Sequence, residues 1–172
     1  MSSETITTAL FLITAVIAAG VLINAVYPVV YNMAGTFSST THESDVRMRT
    51  DFRIITTVAS GDTAQIWMKN IGSEQIPLAS IEKSDVFCGA VGDFDRLTFV
   101  PPGETLTDGD WTYDFTVGKY DLDGNAMWDP GETVKITAKT SLIKGVGTKV
   151  YFQFALPTGV WRSNEFTVSS AS

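Results

Sequence analysis

The hydrophobic pattern along this chain changes character once. Residues 6–26, "ITTALFLITAVIAAGVLINAV", are apolar on every side, and no charged residue occurs between Glu4 and Glu43. At about 1.5 Å per residue such a helix spans roughly 30 Å, the thickness of a bilayer core. The run exceeds the roughly 7–15 residues of a signal-peptide core, and only Ser2, Ser3, Glu4 and Thr5 separate it from Met1, so it lacks a basic flank. The pattern therefore predicts a retained helix, spanning a membrane or lying in the core of a helical bundle. Ala15, Ala18, Ala19 and Gly20 are small and closely placed, as in helices that approach one another in apolar surroundings. They predict packing against copies or related subunits rather than against lipid alone. Pro28 predicts a kink or a loosened turn. Apolar residues continue to Phe37, and the polar stretch 38–50 predicts a connection to a second domain.

Beyond residue 50 the period becomes two. "DFRIITTVA", a turn at "SGD", and "TAQIWMKNIG" predict a hairpin. In its second strand Ala64, Ile66 and Met68 share one face and Trp67 takes the other. "SIEKSDVFCGA", "RLTFVPP", "WTYDFTVGK", "ETVKITAKT", "TKVYFQFALP" and "NEFTVSS" continue the series. About eight short strands between Gly, Pro, Asp and Ser clusters predict an all-β, immunoglobulin-like sandwich. The fold class expected is α+β in sum: a helix and connection over residues 1–45, and a sandwich over 46–172. "PGET" occurs at 102–105 and again at 130–133, read as shared Pro-Gly turn chemistry ahead of a strand.

Charge narrows the function classes. The net charge is −7, and no cluster of Lys and Arg exists to displace counterions, which argues against nucleic acid. Arg47, Arg49 and Arg53 follow the apolar run, which by the positive-inside rule would favour a cytoplasmic C-terminal part. They lie about twenty residues beyond the span, where that rule weakens, and they begin a folded domain. Cys88 has no second cysteine to pair with and reads as a small buried apolar side chain. His42 stands alone in the connection, and no Ser-His-Asp set can be assembled around it. Asp93 and Asp95 in "GDFDR" are read as loop solvation rather than as a glycosidase pair. The expectation is a non-enzyme without a small-molecule substrate.

"DLDGNAMWDPGE", residues 121–132, is the one candidate ligand site. Counted from its start, Asp121, Asp123, Asn125, Met127, Asp129 and Glu132 occupy positions 1, 3, 5, 7, 9 and 12. These are the ligand positions of an EF-hand loop, the seventh acting through its backbone carbonyl. Hard oxygen donors in that number suit Ca²⁺ better than Mg²⁺, which keeps its waters. Position 6 is Ala126, where Gly ordinarily supplies the sharp turn, and the flanks read as strands. The site is thus expected to be a strand-to-loop-to-strand Ca²⁺ site of structural role, with Trp128 capping the loop against the sandwich. The competing reading is a solvated turn, acidic because turns favour Asp, Asn and Gly.

The helix followed by "RTDFRII" and "IWMKNIGSEQIPLASIEKSDVF" resembles the archaellin superfamily, the archaeal flagellar proteins built like type IV pilins. Lys69-Asn70-Ile71-Gly72-Ser73 and the ending "ALPTGVWRSNEFTV" share in that resemblance. It implies a structural role in archaeal motility, with a long apolar helix and a sandwich head. Two roles compete within the superfamily: the filament subunit, and the stator protein of the archaeal flagellar F or G type. The chain opens "MSSET" with no short basic leader, which favours the stator type. A stator-type member would place its sandwich outside the membrane, against the surface layer. The implied partners are related pilin-like subunits through the helix, the membrane, and a surface-layer protein. The implied location is the cell envelope or an extracellular filament. A membrane-tethered adhesion or carbohydrate-binding module is the alternative from another class, with Trp111, Tyr113 and Trp161 as its surface if they are exposed.

Overall fold

A computed structural model describes residues 3–169; the side chains of residues 34 and 37–42, Phe37 and His42 among them, lie outside the described residues. Helix α1 runs Ser3–Arg49 and remains unbroken across Pro28. The stretch 38–49, expected as a connection, is helical: it contains no Gly or Pro to stop the turn. Termination comes at Thr50, whose amide and hydroxyl both bond back to the carbonyl of Val46 at 2.9 and 2.7 Å. Glu4 in the first turn and Arg47 and Arg49 in the last complement the helix dipole. Thr7, Thr8 and Thr14 return their hydroxyls to the carbonyl four residues earlier, so these three side chains are bonded within the helix. The segment Ser3–Met33 is long and apolar enough to cross a membrane. The chain divides into two compact units, Met1–Ser44 and Asp45–Ser172.

The second unit is a β-sandwich that almost closes into a barrel. Its elements are β1 Phe52–Ser60, β2 Thr63–Asn70, β3 Ile76–Pro77, α2 Leu78–Glu82, β4 Asp85–Ala90, β5 Asp93–Phe99, β6 Asp110–Asp114, β7 Met127–Trp128, β8 Thr133–Lys139, β9 Lys149–Ala155 and β10 Trp161–Thr167. Eight strands lie in the order β1-β2-β8-β6-β5-β4-β9-β10, and β3 pairs with β7. β5 joins the two layers: its first residues pair antiparallel with β4, and Thr98 and Phe99 pair parallel with β6. The two end strands, β1 and β10, face each other. Ser169 donates its amide to Ala59 at 3.1 Å at one end of that seam, and an Arg162–Asp51 ion pair spans the other.

Period-two patterning accounts for the core. Ala64, Ile66 and Met68 of β2 are buried against Val134, Ile136 and Ala138 of β8 and Phe152 and Phe154 of β9. Phe52 is the aromatic hub, 5.5 Å edge-on to Phe154 and 5.8 Å from Trp128. Trp67, on the opposite face, is half-buried and donates to the Tyr120 hydroxyl at 3.1 Å, with the Lys135 ammonium 5.4 Å from its ring. Cys88 is fully buried.

Three local expectations change. The start of "SIEKSDVFCGA" is helix α2, not strand: Pro77 precedes it in an extended conformation, and Ser84 returns its hydroxyl to Ser80. The strand begins only at Asp85. The first "PGET" opens a loop that reaches β6 at Asp110, whereas the second enters β8 directly. The two-residue strands β3 and β7 are too short for periodicity to reveal; β7 forms the end of the acidic loop.

Candidate functional site

The acidic loop leaves the sandwich after β6 and returns through β7 to β8. Asp121 and Glu132, its first and twelfth residues, are both buried. A buried carboxylate is costly unless donors replace its water. Here backbone amides do so: Asp121 accepts from Gly124 at 2.6 Å and Ala126 at 3.1 Å. Glu132 accepts from Leu122 at 2.6 Å and Asp129 at 3.0 Å. The loop is thereby wound around its two terminal carboxylates. Asp123 stays exposed and accepts the Asn125 amide at 3.2 Å.

Ala126 takes the left-handed conformation, φ 59°, and is the one non-glycine residue with positive φ among those described. The sharp turn that glycine supplies in an EF-hand is thus present, at a cost in strain of about 1–2 kcal/mol for an alanine. Gly124, at φ 76°, carries a second left-handed turn.

Of the six expected ligands, Asp121, Asp123 and Glu132 converge: one carboxylate oxygen from each lies within 4.8 Å of the others. Asn125 is tied to this group differently. Its side-chain nitrogen bridges Asp123 at 3.0 Å and Asp129 at 2.8 Å, while its carbonyl oxygen accepts from Met127 at 2.7 Å. The other oxygen of Asp129, Oδ1, is buried without a hydrogen-bond partner. Met127 stands in β7 opposite Pro77. Trp128 does cap the loop: it is fully buried and its indole donates to the carbonyl of Glu132 at 3.0 Å.

Asn70, within the Lys69–Ser73 motif, organises this end of the head. It is fully buried at the end of β2. Its side-chain nitrogen donates to the carbonyls of Glu74 at 2.9 Å and Trp128 at 2.8 Å, and its side-chain oxygen accepts from Gly72 at 3.0 Å. Its backbone bonds Glu132 and Gly131. The amides of Ile71 and Gly72 bond the carbonyl of Asp51, and those of Ser73 and Glu74 bond that of Arg49. A Cβ on Gly72 would stand 2.3 Å from the Arg49 carbonyl oxygen, so only glycine permits this approach. The one available signal was a polar residue followed by Gly at the end of a buried strand.

The small residues Ala15, Ala18, Ala19 and Gly20 are all exposed on α1, and a Cβ on Gly20 would meet nothing within 4 Å. Of the three aromatics considered for a binding surface, Trp111 and Tyr113 are buried; Trp161 is 54% exposed.

Comparison with known proteins adds the family. The sequence model of the archaeal-type flagellin family matches residues 2–166. The chain belongs to that family. An uncharacterized protein of Archaeoglobus fulgidus is 26% identical over 171 residues, covering 96% of this chain and 98% of its own length. Among solved structures, the archaellum periplasmic stator protein FlaG of Sulfolobus acidocaldarius matches with a TM-score of 0.52 and 20% identity, over 68% of this chain and 99% of that one. The archaeal flagellum of Methanospirillum hungatei matches with a TM-score of 0.66 and 15% identity, over 95% of this chain and 93% of that one. These likenesses are of fold, and the second extends over nearly the whole chain, helix included.

Proposed function

We propose that this archaeal-type flagellin family member is a stator-type structural subunit of the archaellum. In this reading α1 holds the chain in the membrane, the sandwich lies outside it, and the work is mechanical rather than catalytic. The observation that carries it is the likeness of fold to the solved FlaG stator protein, which extends over 99% of that chain. Partners would be related archaellum subunits, as in the solved FlaF and FlaG stator complex of Sulfolobus acidocaldarius, with a surface-layer protein beyond them. Small residues on an exposed helix face favour self-association in apolar surroundings. The filament reading draws on the Methanospirillum flagellum, whose likeness extends through the helix. Fractionation separates the two. A stator subunit stays with the envelope when filaments are sheared off and purified; recovery as the repeating unit of those filaments overturns it.

The acidic loop is proposed as a structural Ca²⁺ site. Asp121, Asp123 and Glu132 would form the charged side of the shell, and Asp129, with a buried unpartnered oxygen, would complete it. The ion would offset the repulsion among carboxylates that the amide cage alone leaves in place. Millimolar Ca²⁺ should raise the melting temperature of the full chain, reversibly with chelator, and Glu132→Gln should abolish the rise. A melting curve unmoved by millimolar Ca²⁺ sinks the ion.

A further inference from the structure

Trp161 is the one exposed member of the aromatic set considered for binding, and it lines a cleft at the open end of the β1–β10 seam. The cleft is shallow and open to solvent, with a volume of about 780 Å³ between Arg47, Met48, Thr50 and Asp51 on one side and residues 159–163 on the other. All of these residues lie within the Asp45–Ser172 unit.

Its charged groups are unequal. Arg162 is held in place: its guanidinium pairs with Asp51, donates to the carbonyl of Trp161 at 2.7 Å, and stands 5.9 Å from the Phe52 ring centre. Arg47 makes no hydrogen bond or ion pair among the described residues. Its guanidinium lies along the turn at Gly159, 3.6 Å from where a Cβ would stand. Gly159 has φ 82°, so the turn and the guanidinium's resting place both depend on glycine. Two guanidinium groups face one carboxylate, a local charge of +1 in a chain of net −7. An unpaired guanidinium is a planar fork of donors suited to a carboxylate. An exposed indole beside it offers a flat apolar face, on which the C–H face of a pyranose ring can lie. Ser163 and Asp51 also line the cleft, and bring side chains of the type that donate to and accept from sugar hydroxyls.

We propose that this cleft binds an acidic saccharide, a uronic-acid unit of a surface glycan. The carboxylate pairs with Arg47, the ring stacks on Trp161, and the hydroxyls meet Ser163 and Asp51. The flat aromatic face favours a sugar acid over a bare phosphate, which has no ring to lay against it. The proposal stands on the cleft alone, independent of the ion and of the stator role.

The test titrates the full chain in detergent with digalacturonate, and with maltose as the neutral control, by calorimetry and tryptophan fluorescence. Digalacturonate should bind and shift the emission, more weakly as salt rises, and maltose should bind at least tenfold less tightly. Arg47→Gln should weaken binding about tenfold or more, and Trp161→Ala should abolish the emission shift. Both positions are on the surface, and an unchanged melting temperature verifies the fold. Absence of digalacturonate binding at tens of millimolar overturns the proposal. So does equal binding of maltose, affinity unchanged by both substitutions, or displacement by glycerol phosphate at lower concentrations than by galacturonate.

Discussion

Replacing Asn70 with alanine should be among the most damaging single changes to the head. The substitution removes three side-chain hydrogen bonds at a fully buried position. It leaves the carbonyls of Glu74 and Trp128 without those partners, while the amide of Gly72 keeps its bond to the carbonyl of Asp51. An orphaned buried polar group costs about 1–3 kcal/mol, and the small cavity adds to it. Allowing for partial relaxation, the expected loss is about 3–5 kcal/mol, a large share of the roughly 5–15 kcal/mol that holds a domain together. For a unit of this size that is a fall in melting temperature of about 10–20 °C. Asn70→Asp sharpens the assay. It keeps the shape and the oxygen but sets a second acceptor against two carbonyls, so it should be at least as harmful as alanine. Urea denaturation followed by tryptophan fluorescence reads both, since Trp128 lies against the affected carbonyl. A loss below about 1 kcal/mol for Asn70→Ala would refute the claim that Asn70 organises this end of the head.

Gly72→Ala drives a Cβ into the Arg49 carbonyl and the Asp51 amide, at 2.3 and 2.6 Å. It should cost about 2–4 kcal/mol in the same assay by parting the backbone bonds at that approach. Ala126→Gly should have the opposite sign. Relief of left-handed strain, about 1–2 kcal/mol, exceeds the added freedom of the unfolded chain, about 0.4–1 kcal/mol, so a rise of a few degrees in melting temperature is expected. Burial pushes the Cys88 thiol up to about 12 from 9.0, outweighing a bond from the Gly89 amide. The folded state therefore favours the protonated thiol. Its contribution to stability is complete below pH 9 and declines as pH rises from about 9 towards 12. A thiol reagent at pH 8 should label Cys88 only after denaturant is added; rapid labelling of the native protein would contradict its burial.

How far the residues alone could carry the reading is seen element by element. The run of residues 6–26 marks its helix without help, because twenty-one uncharged and mostly apolar residues in a row suit few other environments. The alternation of Ala64, Ile66 and Met68 with Trp67 likewise assigns a strand and its buried face. The end of that helix was not readable: polarity in residues 38–49 suggested a connection, yet nothing in that stretch stops a helix. In the acidic loop the spacing of Asp121, Asp123 and Glu132 sufficed to bring their carboxylates within 4.8 Å. The same spacing could not reveal that Asn125 turns its nitrogen towards Asp123 and Asp129, nor that Ala126 adopts the glycine-like turn. Rotamer and backbone choices of that kind are settled by bonds to groups brought close in folding.

The same distinction runs through the whole chain. Local pattern determined where the helix and most strands lie, which faces are apolar, and which family the chain resembles, because these depend on neighbours a few residues away. Tertiary structure alone decided that Asn70 would tie the acidic loop to the Arg49–Asp51 backbone, and that Trp111 would be buried while Trp161 lines an open cleft. Those outcomes follow from contacts between residues far apart in sequence, such as Asn70 with Trp128 and Asp51 with Arg162. The first pair meets because β8 lies beside β2, the second because β10 comes to face β1.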